Sequence, residues 1–202
     1  VLTNPENTVV KKRSFGNDSA KVAALSQKVL DGLQEENVYG VIKHFPGHGA
    51  TAGDTHEGYA YTDKSLEELE QQELVPFQNA IENHIAIIMA GHISVPNVTG
   101  DNTPSSLSKI MITDVLREKM GFDGIVITDA LNMGAISQHY SSAEVSVKVI
   151  EAGGDMLLMP ENFQEAYQGI LDAVQNGTLT EERIDESVRR ILKVKEKLTA
   201  ED

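Results

Sequence analysis

An α/β fold built on a parallel sheet is what this chain predicts, and three observations predict it. Short runs that are apolar throughout, at 39–42, 85–90, 125–127 and 156–159, alternate with longer segments of helical periodicity. Strands that are apolar on both faces need cover on both faces, either as an open sheet between helices or as a barrel with helices outside. Right-handed crossovers then make the sheet parallel. The third observation is where polarity sits. The apolar runs end in Lys43-His44, Gly91-His92 and Thr128-Asp129, and polar residues on the C-terminal ends of several strands are the pattern of a (β/α)8 barrel of the TIM type. Four or five strands do not close such a barrel. The residues leave two forms open: an open sheet, or a single incomplete barrel domain over 1–202 whose early strands are absent.

The elements follow in order. Segment 19–36 carries Val22, Leu25, Val29, Leu30 and Leu33 at helical spacing, and the strand at 39–42 delivers Lys43 and His44 to its C-terminal end. Ser65-Leu66-Glu67-Glu68 is a capping-box pattern that opens a helix toward Asn83, with Pro76 inside it to kink or break it. The strand at 85–90 stops at Gly91-His92. Pro104-Ser105-Ser106 starts a helix carrying Leu107, Ile110, Met111, Val115 and Leu116. The strand at 125–127 follows, with Asp123 at its other end reading as turn chemistry. A helix at 141–152, a short strand at 156–159 stopped by Pro160, and helices at about 163–176 and 180–198 complete the chain.

Composition narrows the partners. A chain of 202 residues holds one domain with a real core. A formal charge of -14 argues against nucleic acid or an anionic membrane as the main partner, and leaves small neutral substrates open. Without cysteine there are no disulfides, thiolate chemistry or Cys-ligated zinc, and the compartment stays undetermined. No apolar run reaches the ~18 residues of a membrane span. Val1-Leu2-Thr3-Asn4-Pro5 reads as a strand end or loop start rather than a signal peptide, as though the chain were entered midway. A missing segment or a second chain is then expected to complete the barrel. Neither GxGxxG nor GxxxxGK[ST] follows any strand, so no nucleotide cofactor is expected.

The densest chemistry lies in Lys43-His44-Phe45-Pro46-Gly47-His48-Gly49 with Asp54-Thr55-His56. Gly and Pro fix an unusual backbone path from which polar side chains project. In Asp54-x-His56 a carboxylate orients an imidazole and supports a positive charge on it, which suits a proton shuttle; a loop salt bridge is the plainer reading. A zinc site from His44, His48, His56 and Asp54 is a rival reading, weakened because Pro46 and Gly47 forbid the regular helix that HxxxH ligation uses. No metal is expected. A strand-end lysine such as Lys43 calls for a hydroxyl-rich or anionic ligand unless it is partly exposed. His92 reads either as a satisfied core histidine or as a ligand-binding group. Asp129 follows a β-branched strand, and a buried carboxylate there needs partners or a task; capping or a salt bridge is the alternative. The methionines, Met133 among them, read as core filler.

Together these motifs, with Gly121-Phe122-Asp123-Gly124-Ile125-Val126-Ile127-Thr128-Asp129-Ala130-Leu131-Asn132-Met133, resemble glycoside hydrolase family 3 and its bacterial β-N-acetylhexosaminidase branch. Asn4-Pro5-Glu6-Asn7, Arg13-Ser14-Phe15-Gly16, Ala90-Gly91-His92-Ile93 and Pro104-Ser105-Ser106-Leu107-Ser108 match the same branch. The resemblance implies retaining hydrolysis of terminal β-N-acetylglucosaminides, peptidoglycan-derived sugars among them, on a (β/α)8 barrel lacking its first strands here. It implies Asp129 as nucleophile, His56 as acid/base and Asp54 as its orienting partner. Arg13, Lys43, His44, His92 and Met133 fall to substrate binding. It implies an N-acetylglucosamine-containing saccharide as ligand and no cofactor. Ala50 departs from the family, where many members carry Asp after Gly-His-Gly; retention of Asp54 makes this tolerable. Two further readings keep the same residues. One is a β-N-acetylglucosaminide phosphorylase, separated from a hydrolase by product analysis with and without phosphate. The other is a non-catalytic carbohydrate-binding or assembly module, which the presence of both Asp129 and His56 disfavours.

Overall fold

Unbroken apolar runs with β-branched residues form the strands, and each pairs only with another such run. The computed structural model describes residues 1–51 and 60–199. Three parallel strands lie side by side in the order β1 (Val41–Phe45), β3 (Ile87–Ala90), β5 (Ile125–Thr128), with β3 in the middle. Val41 pairs with Ile87, and Ile87 in turn with Ile125, so all three strands run in step toward the same end. The register slips once, between Ile42 and Phe45, and places His44 and Phe45 inward together. A second sheet of two-residue parallel strands, β2 (Ala60–Tyr61) and β4 (Ile93–Ser94), sits beyond the strand ends. Strands that short carry no periodicity, and nothing in the sequence pattern announces them.

Helices cover the sheet. Helix α1 (Ser19–Glu35) opens on Asp18, whose side chain accepts from the Lys21 N–H. At α2 (Leu66–Gln71) the capping box is complete: the Glu68 N–H reaches the Ser65 hydroxyl, and the Glu68 carboxylate reaches back to the Ser65 N–H. The expected break falls before Pro76, which lies in the first turn of α3 (Val75–Glu82), where a missing N–H is harmless. The expected single helix from Pro104 is two pieces. A 3-10 turn at Ser105–Leu107 ends at Ser108, whose hydroxyl accepts from the Met111 N–H, and a π-helix at Ile110–Lys119 follows. After the short helices α4 (Pro96–Thr99) and α5 (Gly134–Ser137) come α6 (Ser142–Ala152), α7 (Phe163–Gln175) and α8 (Glu181–Thr199). The core lies between β1, β3, β5 and the helices, with Phe45, Ile88, Ile93, Met111, Ile112 and Leu116 fully buried.

The fourth expected strand is reduced to one bridge, Met156 beside Ile127. The reason lies in competing partners. Leu158 N–H goes to the Thr128 hydroxyl, and the Leu158 and Met159 carbonyls accept from Leu131 and Asn132, so the segment holds the turn after β5 instead of extending a ladder. Met159 has φ 49°, which ends extended backbone just before Pro160. The sheet therefore does not close. Among the described residues β1 has one neighbour, β3, and apolar side chains are exposed toward both ends of the sheet: Val29 and Val41 on one side, Met159 and Phe163 on the other. This is a partial barrel, as expected.

Candidate active site

The C-terminal ends of β1, β3 and β5 deliver His44, His92 and Asp129 to one region. Asp129 leaves β5 with its N–H donating to the Ala90 carbonyl at the end of β3 (2.8 Å), which ties the residue to its neighbour strand. Its Oδ1 accepts from the Ala130 N–H at 2.9 Å. Its Oδ2 lies 3.5 Å from His44 Nε2. The carboxylate is half-buried, and among the described residues no arginine or lysine pairs with it.

His44 is buried, and burial lowers its imidazole to about 4, against an opposing pull from Asp129. The desolvation cost wins, so near neutrality the ring is uncharged and meets Asp129 as a dipole, not as an ion-pair partner. His44 also packs edge-on against His48, with ring centres 5.4 Å apart. His48 Nδ1 is 3.0 Å from the Thr51 hydroxyl, which itself donates to the His48 carbonyl. Asn7 completes the knot through the His48 carbonyl (2.8 Å) and Thr51. Two glycines make the turn possible. Gly47 has φ 135°, and a Cβ there would lie 2.6 Å from the Cβ of Glu73; at Gly49 it would lie 1.9 Å from the Val1 carbonyl oxygen. Beneath the turn, Glu73 is completely buried and held by Lys64 (2.8 and 2.9 Å) and the Thr3 hydroxyl.

Arg13, Lys43, His44 and His48 line one groove of about 390 Å3. Arg13 and Lys43 are exposed, with the Arg13 guanidinium resting on the Val9 carbonyl. Met133 is partly buried at the end of the turn that Asp129 begins, its N–H on the Ala130 carbonyl. His92 is 1% exposed, with Nδ1 at 2.8 Å from the Ser106 hydroxyl and Nε2 at 3.0 Å from the Ala130 carbonyl. Both ring nitrogens are occupied within the protein. Asp54 and His56 lie outside the described residues. Among the described residues no group of three or more His, Cys, Asp or Glu is placed to hold a metal ion. Nothing in the local sequence pattern assigns a role to Asn7, Thr51, Glu73 or Ser106. Asn7 and Ser106 lie inside Asn4-Pro5-Glu6-Asn7 and Pro104-Ser105-Ser106-Leu107-Ser108, but motif membership does not say which neighbour a side chain meets.

Residues 1–194 match the family described as "Glycosyl hydrolase family 3 N terminal domain". The chain belongs to glycoside hydrolase family 3. "Beta-hexosaminidase LpqI" of Mycobacterium tuberculosis is 36% identical over 203 residues, covering 96% of this chain and 52% of the relative. The solved structure of a family 3 beta-N-acetylglucosaminidase from Paenibacillus sp. str. FPU-7 superimposes with a TM-score of 0.96 at 37% identity, over 100% of this chain and 39% of that one. The beta-glucoside phosphorylase BglX bound to 2FGlc gives a TM-score of 0.93 at 31% identity, over 98% of this chain and 37% of that one. The chain thus spans 36% to 52% of the length of the first curated relatives it matches. Among the described residues of this family 3 domain, no helix is long and apolar enough to cross a membrane.

Proposed function

We propose that this family 3 domain serves retaining hydrolysis of terminal β-N-acetylglucosaminides, with peptidoglycan-derived sugars as substrates. The observation that carries the reading is the pairing of a half-buried Asp129 at the end of β5 with an uncharged His44 3.5 Å away. A carboxylate neutralised by arginine is a poor nucleophile, whereas one bonded to a peptide N–H and facing a neutral imidazole keeps an oxygen for the anomeric carbon. In this reading Arg13, Lys43 and His44, which line one groove, hold sugar hydroxyls or the N-acetyl group, and Met133, in the turn after Asp129, contacts the sugar. His56 acts as acid and then base, oriented by Asp54. Histidine suits this because its unperturbed pKa, near 6.5, allows both roles near neutrality. A segment outside these 202 residues, or a second chain, covers the open strand edges.

The test is Asp129→Asn in the whole protein. Turnover of an aryl β-N-acetylglucosaminide falls by on the order of 10^4-fold, and added azide restores product of the α configuration. Near-normal turnover in D129N would overturn the assignment. His56→Ala is read by leaving-group dependence: poor leaving groups, which need a proton, lose far more glycosylation rate than activated aryl ones. Equal losses across leaving groups would place the proton donor elsewhere. Likeness to a phosphorylase favours one second reading, in which phosphate takes the place of water. Release of sugar 1-phosphate only when phosphate is added would select it.

A further inference from the structure

A chain of hydrogen bonds runs from a buried hydroxyl to Asp129. Ser106, 1% exposed, faces His92 Nδ1 at 2.8 Å. His92 Nε2 faces the Ala130 carbonyl at 3.0 Å, and a carbonyl only accepts. The ring proton is therefore on Nε2, and Nδ1 accepts from the Ser106 hydroxyl. Burial holds His92 below the ordinary imidazole value, which keeps it neutral and in this single tautomer. The Ala130 carbonyl accepts from the Met133 N–H as well (3.2 Å), while the Ala130 N–H donates to Asp129 Oδ1 (2.9 Å).

Both ends of the chain are anchored. Ser106 N–H bonds the Gly91 carbonyl (3.2 Å), and the Ser105 hydroxyl bonds the Ile93 carbonyl (2.6 Å), so the 3-10 turn is fixed to the segment that carries His92. On the far side, Leu131 N–H bonds the Leu158 carbonyl (2.8 Å). Ala130 sits between these supports, and its carbonyl is held by a side chain from the segment that follows β3.

We infer that His92 and Ser106 are positioning residues for Asp129. By fixing Ala130 they aim the N–H that captures Oδ1 and leave Oδ2 directed toward His44. The inference rests on the reading of Asp129 as nucleophile. It differs from a sugar-binding role for His92, because a ring 1% exposed with both nitrogens bonded has nothing to offer a hydroxyl. It also differs from plain core filling. A nucleophile displaced by a fraction of an ångström loses rate without losing affinity.

Two measurements test it. In the full chain, long-range 1H–15N NMR of His92 is expected to show a protonated Nε2 and a bare Nδ1; an Nδ1–H tautomer or an imidazolium overturns the relay. In the whole protein, kinetics on an aryl β-N-acetylglucosaminide compare His92→Leu, His92→Gln and Ser106→Ala, with melting curves to check folding. H92L is expected to lower kcat by about 10- to 100-fold with KM within about twofold. In H92Q, whose amide N–H reaches the Nε2 position, kcat returns to within about fivefold of wild type; S106A loses about three- to tenfold. If H92L does not fold, S106A carries the same kcat-against-KM split. A large rise in KM with kcat kept, or equal kcat losses in H92L and H92Q, overturns the proposal. Turnover retained in D129N overturns the nucleophile reading and the proposal with it. Turnover lost in D129N but unchanged in folded H92L and S106A overturns the proposal alone.

Discussion

Two aspartates near opposite ends of the same sheet have opposite surroundings. Asp155, beside the N-terminal half of β5, is completely buried and fully partnered: Arg117 Nη2 at 2.6 Å, Arg190 Nη1 at 3.1 Å, the Ser187 hydroxyl at 2.7 Å and the Val126 N–H at 2.9 Å. Arg117 continues to the carbonyls of Gly124 and Gly153, and Arg183 to those of Ile150 and Gly154, so one carboxylate ties β5, α6 and α8 together. Among the described residues Asp129, at the other end, meets one peptide N–H and a neutral imidazole. A carboxylate whose acceptor sites are filled by cations is a fastener. One with an oxygen left over at an open strand end is available for chemistry. Residue type does not distinguish the two; burial and, above all, the set of partners do.

The largest effects separate them. Asp155→Ala is expected to lower unfolding free energy by about 3–5 kcal/mol, because it strands buried guanidinium groups, as urea or guanidinium titration would measure. Asp129→Asn should leave stability within about 1 kcal/mol of wild type while turnover is lost. Similar stability losses in the two variants would break the comparison.

A smaller effect comes from His44. Its folded value, about 4, lies below its unfolded value of about 6.5, so the unfolded state binds more protons between those two pH values. Stability therefore falls as pH drops through that window, by on the order of 3 kcal/mol, and the effect levels off below it. Urea midpoints at pH 7 and pH 4.5 for wild type and His44→Gln measure this. An equally steep fall in H44Q would assign the dependence to other groups.

The smallest sharpens the contrast within the candidate site itself. Glu73 is a fastener there, buried under Gly47 and held by Lys64 and Thr3. Glu73→Gln is expected to cost about 2 kcal/mol of stability and to lower kcat less than any change at Asp129. A loss of turnover matching that of D129N, in a folded protein, would give Glu73 a chemical role.

Much of this was legible in the residues. Local rules announced the capping box at Ser65, the break near Pro76 and the three strands, because each depends on side chains within a few positions of one another. The motif around Lys43-His44 and the strand-end Asp129 marked the candidate site for the same reason: glycine, proline and β-branched residues declare a backbone path on their own. The strand expected at 156–159 failed because its hydrogen bonds were claimed by residues 126–132, which no local pattern reveals. The sequence by itself determined the alternation of elements, the end of the sheet where the polar motifs gather and the family, all consequences of short-range pattern. Only the tertiary structure decided that Asp155 is locked by arginines drawn from two distant segments, that His44 is neutral beside Asp129, and that His92 faces Ser106 and Ala130 instead of open solvent. Partners, desolvation and tautomer are properties of side chains brought together across as many as 85 residues of chain in the case of His44 and Asp129, and no window of sequence contains them.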